Sequence, residues 1–272
     1  MSERRAVDKN IRGFKFYLMP KDDTNLARWQ LRYLVAAGTI LPFAPLLYLQ
    51  GQVTRWKIGL LPDAAGEREG NVGAGGDPIK LWVMGQSTVA GLGARDHTHA
   101  LAGQFAKSLG EHLDRPVHWK VLGKNGVTAR QTIDELLPNM PDETFDYVLL
   151  GVGGNDVMKL SSPRKWRRDM VELLQLVRER QPSAMIFISN CPMIIMSPVL
   201  PEPIKSLLWQ LSKMHDANIR EFTRDMDRVV YYPQPAGVRI EGFFADGIHP
   251  SEQGYADWAA AMVRYFAESG KW

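Results

Sequence analysis

Cysteine is almost absent from this chain. Cys191 stands alone, which excludes an intramolecular disulfide framework and any zinc site built on several thiolates. It does not fix the compartment, since many proteins outside the cytoplasm also lack disulfides. No sign of charge prevails either: 33 Lys+Arg face 30 Asp+Glu. The small excess lies in residues 1–32, where Arg4, Arg5, Lys9, Arg12, Lys15, Lys21, Arg28 and Arg32 meet only Glu3, Asp8, Asp22 and Asp23. The rest of the chain is close to neutral and carries no clustered Lys/Arg stripe, so nucleic acid is not expected as a partner. Internal repeats are missing as well.

Long apolar runs are scarce, with one exception. Tyr33–Leu49 holds no charged residue, has Arg32 before it and Arg55 and Lys57 after it, and carries Trp29, Tyr33, Tyr48 and Trp56 near its ends. Its length reaches the lower end of the ~17–25 residues of a membrane helix, and interfacial aromatics belong where these stand. Pro42 and Pro45 oppose a straight helix. The expectation is a membrane anchor at 33–49 behind a basic arm at 1–32, with the alternative of an amphipathic segment docked on the main domain. The basic arm favours a cytoplasmic N-terminus and a non-cytoplasmic body; a soluble cytoplasmic protein is the alternative. Gly51–Pro78, ending in Gly70-Asn-Val-Gly-Ala-Gly-Gly-Asp-Pro78, reads as a linker over 50–77.

Beyond Pro78, short apolar runs alternate with helical periodicity. Ile79–Met84, Val117–Leu122, Tyr147–Val152, Ala184–Ser189 and Val229–Tyr232 read as strands. Between and after them, His99–Leu113, Thr128–Leu137, Pro163–Arg180, Leu200–Arg224 and Ser251–Glu268 read as helices, with Ser251 as N-cap of the last. This alternation predicts an α/β domain over 78–272 with a parallel sheet covered on both faces, and a site just past the carboxyl ends of the strands.

The strand ends carry chemistry. Gly85-Gln86-Ser87 follows the first, Gly123-Lys-Asn-Gly126-Val-Thr128 the second, Gly154-Asn155-Asp156 comes just past the third, and Asp246-Gly-Ile-His249-Pro250 precedes the last helix. Each has a plain explanation alone: a capping serine, a turn glycine, an Asn-Asp turn pair, a surface Asp–His bond. Together they supply a hydroxyl nucleophile, backbone donors, an amide and an Asp/His pair, the parts of a serine acyl-transfer site.

In this ordered set of four blocks the chain resembles the SGNH hydrolases, also called GDSL esterases/lipases, over residues 78–272. The resemblance implies a flavodoxin-like three-layer α/β/α sandwich with a five-stranded parallel sheet. It also implies Ser87, His249 and Asp246 as catalytic residues, and an oxyanion hole from the Ser87 and Gly126 backbone and the Asn155 side chain. Ester hydrolysis through an acyl-enzyme is the implied reaction, with no cofactor or metal, on a small-molecule, lipid or saccharide ester. Where the family usually has Asp before the serine, this chain has Gln86.

Competing readings are weaker. Gly85–Gly93 lacks the Lys-Ser/Thr of a phosphate-binding loop. Asp96-His97-Thr98-His99 could offer metal ligands but reads better as a solvated helix start; Cys191 reads as a small buried hydrophobe, and Arg164–Arg168 as a solvated helix face. His112, His118 and His215 have no constellation around them. An acyltransferase using the same site, or an inactive membrane-tethered binding module, are the alternatives on this fold. The apolar stretch Pro192–Leu200 leans toward an acyl chain or apolar leaving group, and serves equally well as core.

Overall fold

The computed structural model describes residues 24–59, 61–236 and 241–270. Most of the basic arm expected at 1–32 therefore lies outside the described residues.

Five parallel strands run where the apolar runs predict them: β2 (Ile79–Gly85), β3 (Val117–Gly123), β4 (Tyr147–Gly151), β5 (Met185–Ile188) and β6 (Val229–Tyr231). A sixth, β1 (Glu69–Val72), adds antiparallel to β3 at the edge, so the sheet order is β1-β3-β2-β4-β5-β6. The expected five-stranded sheet is thus six-stranded. β1 lies inside the stretch 50–77 read above as a linker. It is short, half-exposed and glycine-containing, and it gave no apolar run to detect. Its register pairs Glu69 with Lys120, whose ammonium reaches Glu69 at 3.5 Å and Glu143 at 2.6 Å.

The sheet is covered on both faces, which is why β2 reads as a continuous apolar run. Trp82 and Met84 join Val148, Leu150, Ile186 and Ile188 beneath α6 (Pro163–Arg180) and α7 (Ile204–Thr223). Leu81 and Val83, pointing the other way, join Phe187 beneath α3 (Leu101–Leu113) and α8 (Glu252–Glu268). There the Phe187 and Phe266 rings stack at 4.3 Å. Caps fall where the sequence puts them: Ser162 Oγ accepts from Lys165 N and Ser251 Oγ from Gly254 N. The helix expected over 128–137 is a turn, α4 (Ala129–Gln131), running on into a π-helical turn at Thr132–Leu136.

Arg164–Arg168 is not a wholly solvated face. Trp166 is fully buried, and the largely buried Arg167 reaches across to Glu221 on α7 at 3.3 Å and lies over the Phe222 ring. Trp166 and Arg167 lie on the core side of α6 and leave Arg164, Lys165 and Arg168 toward water.

Ahead of the sheet, α1 (Thr24–Ile40) and α2 (Ala44–Ile58) are joined by a 3₁₀ turn at Leu41–Phe43, the point where Pro42 interrupts the helix. Asn25–Thr54 is long and apolar enough to cross a membrane by length and composition, its most apolar window reaching a mean hydropathy of 1.5, and a signal sequence shares these properties. The pair touches the body through Tyr33, which packs against the cluster of Val157, Leu208 and Leu211, and through polar groups. Tyr33 Oη donates to Leu160 O at 2.8 Å, Asn25 Nδ2 to Glu221 Oε2 at 2.9 Å, and Gln50 Nε2 to Glu202 O at 3.0 Å. Leu31, Leu34, Val35, Leu46 and Leu49 stay exposed. Next, residues 64–65 return to the body: Ala64 N donates to Ala90 O and Ala65 N to Arg95 O.

Candidate active site

The site is assembled by three loops at the carboxyl edge of the sheet. β2 ends in Gly85, where a Cβ would stand 2.1 Å from Gly151 O of β4, so only glycine lets the two strands close at this point. The chain then turns at once: Val89 N and Ala90 N both donate to Gln86 O, a helical turn that presents Ser87 at its start.

His249 and Asp246 arrive on the loop before α8, closed by bonds from Ala245 N to His249 O and Ser251 N to Phe243 O. Within it, Asp246 Oδ1 accepts the backbone N–H groups of Ile248 (2.8 Å) and His249 (2.7 Å), and Oδ2 accepts His249 Nδ1–H at 2.8 Å. The carboxylate therefore fixes both the loop and the ring. With the proton on Nδ1, Nε2 is the acceptor, and it lies 3.2 Å from Ser87 Oγ. Burial pushes the Asp246 carboxyl up, but the bonds from His249 and Ile248 outweigh it and hold the group below the usual carboxylate range.

Two contacts set the distance between these loops. A Cβ on Gly93 would fall 2.2 Å from Pro250 O, and Tyr255 Oη of α8 donates to Leu92 O at 2.7 Å. The His249 loop is braced from its other side by Ser197, whose Oγ donates to Gly247 O at 2.7 Å.

The third loop leads from β3 into α4. Gly126 has φ +83°, a backbone that other residues adopt only with strain. Asn155 stands in the first turn of α5 (Gly154–Met158), and its Nδ2 donates to Val127 O and to Gln86 Oε1, each at 3.1 Å. Asn155 N also donates to Gln86 Oε1, at 3.0 Å. Gln86, standing where the resembling family usually has aspartate, thus supplies Asn155 with its acceptor, and its amide lies over Gly154, where a Cβ would meet Nε2 at 2.6 Å.

Two further residues fasten this loop to α5. Asp156 Oδ2 accepts Ala129 N–H at 2.9 Å, and Lys159 Nζ donates to Gly126 O at 2.7 Å and to Gln131 Oε1 at 3.0 Å. Asp156 is wholly buried, and desolvation, only partly offset by the Ala129 N–H and by Lys165, pushes its carboxyl up to about 6. Sequence reasoning gave no role to Gln86, Asp156, Lys159 or Ser197. The i, i+4 spacing of Asn155 and Lys159 was the available signal for one of them.

The remaining candidates do not gather into a site. Asp96 Oδ1 accepts from His99 Nδ1 at 2.7 Å, while His97 is buried among its own neighbours rather than solvated, and no cluster among the described residues could hold a metal ion. Cys191 is buried, with its thiol pushed up by desolvation. His215 is buried flat against Trp166 at 5.0 Å, donates to Ser161 O, and is driven down to about 3 by desolvation, so it is a neutral core residue.

The family model for GDSL-like lipase/acylhydrolase matches residues 83–256, the span that contains all four blocks. The chain belongs to this family. Its fold is shared with a Bacteroides ovatus protein described as a GDSL-like lipase, at 18% identity and TM-score 0.51, covering 72% of this chain and 55% of that one. It is shared also with the lipase Lip_vut3 from a goat rumen metagenome, at 15% identity and TM-score 0.50, covering 69% and 96%. No curated protein matches the sequence.

Proposed function

We propose that this GDSL-family hydrolase is a serine esterase that works through an acyl-enzyme at Ser87. The observation that carries the reading is the unbroken chain from Ser87 Oγ through His249 to Asp246, at 3.2 and 2.8 Å. Ser87 Oγ attacks the ester carbonyl as His249 Nε2 takes its proton, and Asp246 stabilises the imidazolium. The C–O bond to the leaving alcohol breaks with that proton passing to the alkoxide. Water then enters, loses a proton to His249 and attacks the acyl-serine; the acid departs and Ser87 Oγ recovers its proton.

The oxyanion of each tetrahedral intermediate is met by the Ser87 and Gly126 backbone N–H groups and the Asn155 amide, donors of a kind worth about 10²–10³ in turnover each. Both hydrogens of Asn155 Nδ2 are committed in the resting site, to Gln86 and Val127. The bond to Val127 O is the one that can be shared with the oxyanion, because the Gln86 carbonyl also holds the Asn155 backbone. The site residues offer no ligand set for a metal, and the reaction needs none.

The N-terminal helices associate with a membrane in this reading. Support comes from the apolar stretch Asn25–Thr54 and from the side chains it leaves exposed. The test of the central claim is labelling with a fluorophosphonate together with hydrolysis of p-nitrophenyl acetate. Wild type is expected to label at Ser87 and to turn over, and Ser87→Ala to do neither while keeping its fold by circular dichroism. Labelling at another serine, or turnover by the variant, would end the argument.

A further inference from the structure

Packing does not hold Gly126 in place. Its φ of +83° favours glycine, yet a Cβ there would meet nothing within 4 Å beyond the adjoining residues, whereas one on Gly85 would collide with Gly151 O at 2.1 Å. Lys124 and Asn125, just before it, are exposed. A glycine in open space turns its peptide planes at little cost, so its N–H keeps one direction only if polar contacts hold the chain beside it.

Those contacts come from one turn of helix. Lys159 caps the end of α5, where its N–H bonds to Asn155 O at 2.8 Å, and the i, i+4 spacing puts both side chains on one face. They grip consecutive carbonyls: Asn155 Nδ2 donates to Val127 O at 3.1 Å and Lys159 Nζ to Gly126 O at 2.7 Å. Asp156 fastens the chain only further on, at Ala129. The ammonium is itself steadied. It donates to Gln131 Oε1 at 3.0 Å, Gln131 Nε2 donates to Glu135 Oε1 at 3.2 Å, and Glu135 Oε2 accepts from Lys124 Nζ at 2.6 Å. Lys124 N in turn donates to Gly85 O at 3.1 Å. The ring of bonds leaves the loop at Gly126 and returns to it at Lys124.

We propose that Lys159 is a positioning residue for the reaction: it holds the Gly126 carbonyl while Asn155 engages the oxyanion, and so keeps the Gly126 N–H aimed at the same atom. The inference rests on the esterase reading above. In the resting site Asn155 and Lys159 divide the task. Once the Asn155 amide is shared with the oxyanion, its grip on Val127 O weakens, and the bond from Lys159 is the one left unchanged. The contribution of Lys159 therefore grows from ground state to transition state, which places it in kcat rather than KM. A charged donor suits the task, since its bond to a carbonyl is stronger than that of a neutral amide. The side chain is also exposed, so truncating it removes the bond and little packing.

The experiment uses the full chain and p-nitrophenyl acetate. Lys159→Met keeps the length and removes the donor; kcat is expected to fall by about 10–10²-fold, less than the loss of an oxyanion donor itself, with KM within about twofold. Lys159→Arg should restore most of the rate. Lys159→Ala leaves room for a free amine. Propylammonium should therefore raise its kcat saturably, by at least about threefold, whereas tetramethylammonium, which has no N–H, should not. A merely structural role would lower the melting temperature and would not distinguish the two cations. A Lys159→Met kcat within about twofold of wild type, or a response to propylammonium no greater than that to tetramethylammonium, would overturn the proposal. Fluorophosphonate labelling tells this failure from that of the esterase reading. If wild type labels at Ser87 and turns over, and Lys159→Met does so equally well, the inference falls alone. If wild type neither labels nor turns over, the esterase reading falls and takes the inference with it.

Discussion

Gln86 Oε1 accepts two hydrogen bonds from Asn155, one from its backbone N–H at 3.0 Å and one from its side-chain amide at 3.1 Å. The residue before the serine thus holds the residue proposed to meet the oxyanion. A side-chain carbonyl suffices for this, since both donors come from Asn155 and neither needs a charged acceptor.

Gln86→Leu removes the acceptor and leaves two donors without their partner. We expect kcat for p-nitrophenyl acetate to fall by about 10–10²-fold, somewhat less than the loss of an oxyanion donor itself, with KM little changed. Gln86→Glu keeps the oxygen and should recover most of the rate. A purely structural role would instead lower thermal stability in both variants and spare kcat in the folded fraction.

Asp246→Asn tests the other end of the site. An amide can still accept the Ile248 and His249 N–H groups but presents the wrong partner to the imidazole Nδ1–H, so kcat should fall by about 10³–10⁴-fold with the loop intact. The hydrogen bonds that depress the Asp246 carboxyl also stabilise the folded chain above the ordinary carboxylate range, and this contribution is lost as pH falls through the lowered value. Acid unfolding of the variant should therefore begin from a lower stability at pH 7 and show a shallower pH dependence. A variant within tenfold of wild-type kcat would contradict the assignment.

Asp156 gives a prediction of opposite sign. Its folded carboxyl titrates at about 6 against an ordinary 3.8, so the folded state binds the proton more tightly than the unfolded one. The resulting stabilisation is complete below about pH 4 and is lost as pH rises through 6. Asp156→Asn removes the titration and keeps an oxygen for Ala129 N–H. Urea midpoints from pH 4.5 to 8 should show the variant gaining on wild type as pH rises, by up to about 3 kcal/mol. A constant difference over that range would mean that Asp156 does not titrate there.

Residues 61–272 without the helices should be soluble and hydrolyse p-nitrophenyl acetate, whereas a chain beginning at Gly75 should be impaired. The shorter form lacks β1 and the bonds from Ala64 and Ala65 to the loop behind Ser87. At about 1 kcal/mol per net hydrogen bond it should lose roughly 2–4 kcal/mol and melt about 5–15 °C lower. Equal melting temperatures for the two would show the edge strand to be dispensable.

The parallel sheet was legible because each strand is buried on both faces and reads as an unbroken apolar run. The site blocks were legible because glycine, serine, asparagine and histidine fall where those runs end. β1 was not, since an edge strand with one side in water needs no apolar pattern, and Glu69-Gly-Asn-Val72 has none. The roles of Lys159 and Ser197 escaped for another reason. Both act on backbone carbonyls, of Gly126 and Gly247, and a carbonyl partner leaves no mark on the sequence.

Ala64, which is already bonded to the loop that carries Ser87, is only the sixth residue after the end of α2 at Ile58. Six extended residues span about 20 Å at most. A chain tied this closely cannot sweep a volume on a tether; on a bilayer, Ser87 would ride at one height and move only with the sheet of lipid beneath it. Turnover would then follow the number of ester molecules per unit area rather than per litre, and diluting the substrate with inert lipid at constant bulk concentration should slow the enzyme.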